Sequence, residues 1–304
     1  MKSLAAFIVP IALAATGAVA APDHYSGLCE ASAAVLLGDK FFAVASDETN
    51  RIQIYERGHP EPLGKGVDFE AFTGFDKSDV EGAAAIEKRI YWISSHSFNS
   101  NGEDKAKRKI LFATDVVEGE SGPTLKSAGT AYKSLRDTLV DAAKVKPADI
   151  NIEGLAATTD GKLLIGFRRP VGAKGALVLQ LENPSAVIER SEKPRYSEPI
   201  ELPLGGRGIR SIERIGSGPQ SYLIVAGPVS DSNEGFALYW WSGPATKSDP
   251  ALIQGIDLQG IRPEAVIAIP GTTSIQILSD DGDICSDEDT PQDDRKFRSI
   301  DIKP

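Results

Sequence analysis

Sulfur and imidazole are scarce: the 304 residues include two cysteines, one methionine and three histidines. Cys29 and Cys285 form no closely spaced pair, and His24 and His59 fall in peripheral segments, so His96 is left as the one nitrogen ligand and a zinc centre is a poor choice. Basic residues are also in the minority. With 33 Lys and Arg against 43 Asp and Glu the formal charge is −10, which argues against nucleic acid or an anionic lipid surface and suits a protein that gathers divalent cations. Long apolar runs are missing, since the longest, Leu4 to Ala15, is too short to span a membrane. No nucleophile elbow, zinc-protease helix or kinase motif occurs. Gly205-Gly206-Arg207-Gly208 looks like a phosphate loop but lacks the strand-then-helix context that such a loop needs.

What is present begins with an export signal at residues 1–20: Lys2, the apolar stretch, then Ala18-Val19-Ala20 as a small-residue cleavage site. The mature chain, 21–304, is expected to be periplasmic or secreted. In an oxidising compartment a Cys29–Cys285 disulfide is the default.

One phrase recurs, a glutamate followed by small residues and an apolar strand: Glu30-Ala-Ser-Ala-Ala-Val, Glu81-Gly-Ala-Ala-Ala-Ile, Glu153-Gly-Leu-Ala-Ala-Thr and Glu264-Ala-Val-Ile-Ala-Ile. A fifth copy, Arg210-Ser-Ile-Glu-Arg-Ile, carries arginine in place of the acid. After each copy comes a second strand: Lys40 to Ser46, Arg89 to Ser94, Lys162 to Phe167, Tyr222 to Ala226 and Ser274 to Leu278. Polar residues follow, among them Asp47 to Asn50, Ser95 to Asn99 and Gly227 to Asp231. A third strand then appears at Arg51 to Tyr55, Lys109 to Thr114, Ala176 to Leu181, Phe236 to Trp241 and Lys296 to Ile302. Weaker runs, Leu125 to Tyr132, Glu198 to Leu204 and Ala251 to Leu258, supply fourth strands. Four antiparallel strands per unit, repeating at about 50 to 70 residues, describe a blade. The fold is therefore expected to be all-β, a single five-bladed β-propeller, with six as the alternative count. Ser134 to Ala143 reads as a short helix with Leu135, Leu139 and Ala142 or Ala143 on one face. Acid-rich Ser286 to Asp294 reads as a solvated loop. The last unit lacks a fourth strand while Pro22 to Gly27 has no partner, so the N-terminal strand should close the ring. The disulfide would then lie across that closure.

In a blade the first strand lines the channel and direction alternates, so first-strand starts and the loops after second strands share one face. This frame gathers Glu30, Glu81, Glu153 and Glu264 at one channel mouth, with Arg210 completing the ring. Asp47, Glu48, His96, Arg168, Arg169, Asp280 and Asp281 stand around them. Converging carboxylates repel, so a cation neutralises them, Arg210 and its neighbours pair with them, or some hold protons. Calcium suits such a site because it takes roughly six to eight oxygen ligands in flexible geometry. The small residue after each glutamate fits crowding near the axis. His96 is either a general base or structural. Arg168-Arg169-Pro170 either grips an anionic group or pairs with the acids.

The stretches Gly27-Leu-Cys-Glu-Ala-Ser, Ala45-Ser-Asp-Glu-Thr-Asn, Asp79-Val-Glu-Gly-Ala-Ala, Ser94-Ser-His-Ser, Ile152-Glu-Gly-Leu-Ala, Gly166-Phe-Arg-Arg-Pro and Gly206-Arg-Gly-Ile-Arg-Ser-Ile-Glu resemble an exported bacterial family labelled domain of unknown function 3616, which brings no activity. The layout is more distantly similar to calcium-activated nucleotidases (apyrases), five-bladed propellers whose inner strands open with glutamate or serine around a central calcium. That likeness implies Glu30, Glu81, Glu153, Ser211 and Glu264 around the ion, with Arg210 as a departure. The glutamate-glycine phrase also looks like that of phytase-like and lactonase-like propellers, which are calcium-dependent esterases. These resemblances imply a calcium-dependent phosphoester or ester hydrolase: the metal polarises the substrate, Asp47 or Glu48 positions water, His96 acts as acid or base and Arg168 binds the anionic group. The other expectation is a non-catalytic propeller that binds a ligand or partner protein. Either way the partners expected are a small anionic ligand or a protein, with no nucleic acid and no membrane after signal cleavage, and the chain should be a monomer.

Overall fold

The computed structural model describes residues 23–230, 235–246, 248–258, 260–285 and 289–304. The expected export signal, Asp231 and residues 286–288 of the acid-rich loop lie outside the described residues. After β1 (His24–Ser26) come five antiparallel four-stranded sheets. The first holds β2 (Ala33–Leu37), β3 (Phe41–Ala45), β4 (Arg51–Glu56) and β5 (Val67–Asp68), followed by the single turn α1 (Glu70–Thr73). The second holds β6 (Val80–Ile86), β7 (Arg89–Ser94), β8 (Leu111–Gly119) and β9 (Gly122–Tyr132), followed by α2 (Leu135–Ala143). The third holds β10 (Asn151–Ala157), β11 (Leu163–Val171), β12 (Ala176–Leu181), then α3 (Pro184–Arg190) and β13 (Ile200–Leu202). The fourth holds β14 (Gly208–Arg214), β15 (Tyr222–Gly227), β16 (Ala237–Trp241) and β17 (Ala251–Leu252). The fifth has β18 (Pro263–Ala268), β19 (Ile275–Ser279) and β20 (Lys296–Ile302), with β1 as its outer strand.

This is a five-bladed β-propeller. Successive first strands β2, β6, β10, β14 and β18 neighbour one another, and β18 comes round to β2. Each sheet is buried on both faces, so alternate residues of one strand feed different cores. In β3, Ala43 and Ala45 face the second blade while Phe42 and Val44 face the fifth. Five such clusters result, one between each neighbouring pair of blades. On α2, Leu135, Leu139 and Ala143 turn into the cluster between the second and third blades.

β1 closes the ring by pairing with β20, Tyr25 opposite Phe297. The Tyr25 ring packs against Phe42, Tyr55 and Phe297, and its Oη accepts a bond from Gln276 Nε2 at 2.7 Å. The disulfide joins Cys29 to Cys285 across 256 residues. A loop of that length removes enough unfolded-chain entropy to contribute about 5 kcal/mol on the chain-entropy account. No helix among the described residues is long and apolar enough to cross a membrane.

Three elements differ from expectation, the single turn α1 among them. The first blade's fourth strand, β5, was not foreseen; it has two residues and follows a stretch rich in glycine and proline, too short for a periodic signal. Helix α3 was not foreseen either, and Asn183-Pro184 is the one start signal it carries.

Candidate functional site

The recurring residue of the phrase occupies one structural position in four blades, and that position is a β-bulge. In the second blade Val80 pairs with Ser94 and the next pair is Gly82 with Ile93, which passes over Glu81. Pairing passes over Glu153 between Ile152 and Gly154, Arg210 between Ile209 and Ser211, and Glu264 between Pro263 and Ala265. An extra residue on one strand bends it and re-aims its side chain. The following residue then meets the next blade. A Cβ on Gly82 would lie 2.9 Å from Leu155 Cβ, and one on Gly154 would lie 2.9 Å from Cγ2 of both Ile209 and Ile212. The crowding expected at these glycines is contact between neighbouring first strands.

Glu30 requires a correction. It does not open β2, which begins three residues later, but forms a bridge with Asp280 at the end of the fifth blade's second strand. The chain there is still leaving the closure, and Ala31 N donates to Ser279 O.

Arg210 divides the mouth. Its Nε lies 2.9 Å from Glu153 Oε2, its Nη2 pairs with Glu264, and its side chain is 8% exposed. Glu153 also receives Arg168 Nη1 at 2.9 Å and Asn151 Nδ2 at 3.0 Å. On this side the acids are neutralised by guanidinium groups, so Glu153 and Glu264 belong to a salt-bridged network.

The opposite side is rich in acid. One oxygen each from Asp47, Asp79 and Glu81 lie within 4.8 Å of one another. Three carboxylate oxygens that close together can face a single cation. Asp47 Oδ1 is buried and accepts no hydrogen bond among the described residues. Asp79 sits at φ 54, a left-handed conformation, and receives Ser95 Oγ and, at 2.9 Å, Arg108 Nη2. Glu30 accepts from Ser46 Oγ at 2.9 Å and stands beside Asp47 and Asp280. Burial first, then neighbouring carboxyls, holds Glu30, Glu81 and Asp280 above the ordinary carboxylate range; Asp79 is raised by burial against the pull of Arg108. Seven carboxyls (Glu30, Asp47, Asp79, Glu81, Glu153, Glu264, Asp280) thus meet the guanidiniums of Arg108, Arg168, Arg210 and Arg262 and the ammonium of Lys77. That excess opposes a free anion and favours a hard cation, and the donor set is all oxygen.

The other expected residues are distributed as follows. Ser211 lines the channel with Glu81 and Glu153. Glu48 is engaged by Lys77 at 3.9 Å and is not one of the three clustered acids. Asp281 turns to Arg298 and Ser279 and serves the fold. Arg168 is 27% exposed at its side chain and keeps N–H groups beyond those given to Glu153 and to Pro228 O. His96 is fully buried, with neither ring nitrogen hydrogen-bonded among the described residues; burial, then Arg136 and Lys109, pushes its pKa down to about 3. Its ring is therefore kept from the role of a solvent-facing base. Reading the sequence for a site missed Asp79 and Arg108. Asp79 stands two residues before Glu81, where the other copies have Leu28, Asn151, Gly208 and Arg262, so the repeat gave no signal for it. Glu213, which also lines the channel and whose pKa burial lifts to about 8, was missed too, although it lies two residues beyond Ser211 on the same strand face.

A family model described as "Protein of unknown function (DUF3616)" matches residues 101–270. Comparison with the curated proteins finds no match. Among solved structures the chain is similar to an exo-beta-1,3-galactanase from Phanerochaete chrysosporium, with 9% identity, a TM-score of 0.51 and coverage of 93% of this chain and 64% of that one. The chain thus spans just under two thirds of that enzyme's length. It is also similar to the glutaminyl cyclase of Myxococcus xanthus (13% identity, TM-score 0.45, 91% of this chain and 94% of that one) and to a thermostable family-43 glycoside hydrolase (10%, 0.47, 91% and 90%). At such identities the galactanase likeness is one of fold, and fold does not carry chemistry with it.

Proposed function

The chain belongs to the DUF3616 family of proteins of unknown function, and we propose that it is an exported propeller which binds a divalent cation of the calcium class at its channel mouth. One observation carries this reading: the clustered oxygens of Asp47, Asp79 and Glu81, with the half-buried Asp47 holding a buried Oδ1 that accepts no hydrogen bond among the described residues. Glu30 stands next to Asp47, and Ser211 lines the channel below. Glu153 and Glu264 are held by Arg210 and contribute the wall of the site.

A bound ion would supply Lewis-acid polarisation of an ester or phosphoryl oxygen. Of the chain's own residues, Arg168 offers its spare N–H groups to an anionic group at the rim, and Asp47 can orient a water through its open oxygen. Hydrolysis of a phosphoester or ester of a small anionic substrate follows from that combination. A non-catalytic ligand- or protein-binding propeller is the second reading, and the burial of His96 favours it, because the mouth then lacks an imidazole acid or base.

Titration of metal-stripped protein with calcium chloride by calorimetry tests the cation. We expect one site, a rise in thermal midpoint on calcium addition, and at least about tenfold weaker binding in Asp47→Asn and Asp79→Asn, in line with lost charged ligands. No heat and no thermal shift at millimolar calcium would remove the basis for the reading. Phosphatase, phytase and lactonase substrates assayed with calcium then separate the two versions, since the non-catalytic one leaves every assay blank.

A further inference from the structure

The disulfide is not the only tie at the ring closure. β1 already closes the ring through its pairing with β20 and through the buried Tyr25, four residues before Cys29. Cys29, however, is the residue next to Glu30, and Cys285 ends the tight loop that begins at Asp280. Inside that loop Gly282 N donates to Asp280 Oδ1 at 2.9 Å, Ile284 N donates to Asp281 O at 2.7 Å and Cys285 N donates to the same oxygen at 3.2 Å. The backbone lies hard against both acids: a Cβ on Gly282 would be 2.5 Å from Glu30 Oε2 and 3.2 Å from Asp280 Oδ1. Glu30 is in turn tied through Ser46 Oγ to the strand end that carries Asp47.

Two buried or half-buried carboxyls are therefore brought together, one from each side of the closure. We propose that the Cys29–Cys285 disulfide is a positioning element of the cation site: it holds Glu30 and Asp280 against one another, and through Ser46 it fixes Asp47 where a cation is received. The inference rests on the cation reading above and adds to it which acids form the outer support and what holds them.

A merely structural disulfide would lower stability and leave affinity alone, whereas groups that orient metal ligands change affinity by about 10- to 100-fold when removed. The test compares calcium affinity, by calorimetry, in the wild-type protein and in the Cys29→Ser, Cys285→Ser double variant. It repeats the comparison in a Glu30→Gln, Asp280→Asn background. We expect the cysteine pair to cost about tenfold or more in Kd in the first background and nothing further in the second, because the disulfide acts through those two acids. Phe297→Leu, which loosens the same blade in its core, should lower the thermal midpoint without moving Kd. If the double-serine chain does not fold, opening the disulfide of the folded protein with a phosphine reductant gives the same comparison. Equal affinity with and without the disulfide, or an equal cost in both backgrounds, would overturn this proposal while leaving the cation site standing. Absence of calcium binding by the wild type would overturn both.

Discussion

At the scale of single residues, the decisive position is Arg210, which holds two glutamates at once in a setting that water barely reaches. A buried ion pair offsets its own desolvation only while the set is complete, and removing one member leaves the other charges stranded. Arg210→Met should therefore destabilise the protein by about 3–5 kcal/mol, read as a fall in urea midpoint. Replacing the whole set, Glu153→Gln with Arg210→Met and Glu264→Gln, should recover much of that loss, since the one charge left without its carboxylate, Arg168, is partly exposed to water. If the single variant were as stable as the wild type, the division of the mouth into a neutralised side and a cation-receiving side would lose its support. The phrase Arg210-Ser-Ile-Glu-Arg-Ile shows in the sequence that one blade differs. Which glutamates the arginine takes is invisible there, because the choice depends on which blades are neighbours at the axis.

At the scale of the element, the bulge at the start of four of the five inner strands does two things together. It turns the recurring side chain toward the mouth, and it presses the next residue onto the neighbouring blade. Gly154→Ala would drive a methyl group into Ile209 and Ile212, and overpacking of this kind costs about 1–3 kcal/mol. Chemical denaturation should show that loss at Gly154; an unchanged midpoint would mean the strands can separate at no cost. The fifth blade carries Ala265 at the matching place, so the tight fit is specific to the second and third blades. The strands themselves were legible as alternating apolar runs between turn residues, and the repeat of the phrase supplied the frame for five blades and a shared mouth. The bulge was not, since it is a property of register between two strands. For the same reason Asp79 was missed: its side chain is aimed by a left-handed backbone at the turn into β6, and a string of residues does not display that conformation. Glu30 was assigned to its own blade, and only the paired structure shows it joined to Asp280.

At the scale of the molecule, every hydrophobic cluster is shared between two neighbouring blades, so no blade owns the core that would let it stand by itself. The closure at β1 then governs the stability of distant blades as well as its own. Tyr25 is the test residue, being fully buried between the first and fifth blades and bonded to Gln276. Tyr25→Ala removes an aromatic side chain from a packed cluster, for which about 3–5 kcal/mol is the ordinary cost, and leaves the Gln276 amide without that partner. In a closed ring of shared cores the loss should spread: unfolding stays a single transition at a lower midpoint. Hydrogen exchange should show amides of β10 to β12, on the far side of the ring, losing as much protection as those of β18 to β20. In an open chain of stacked blades the loss would stay local, with β18 to β20 exchanging early and β10 to β12 unchanged. Protection measured blade by blade therefore decides between a ring that acts as one unit and a stack whose ends happen to touch, and the shared clusters on both sides of each sheet argue for the ring.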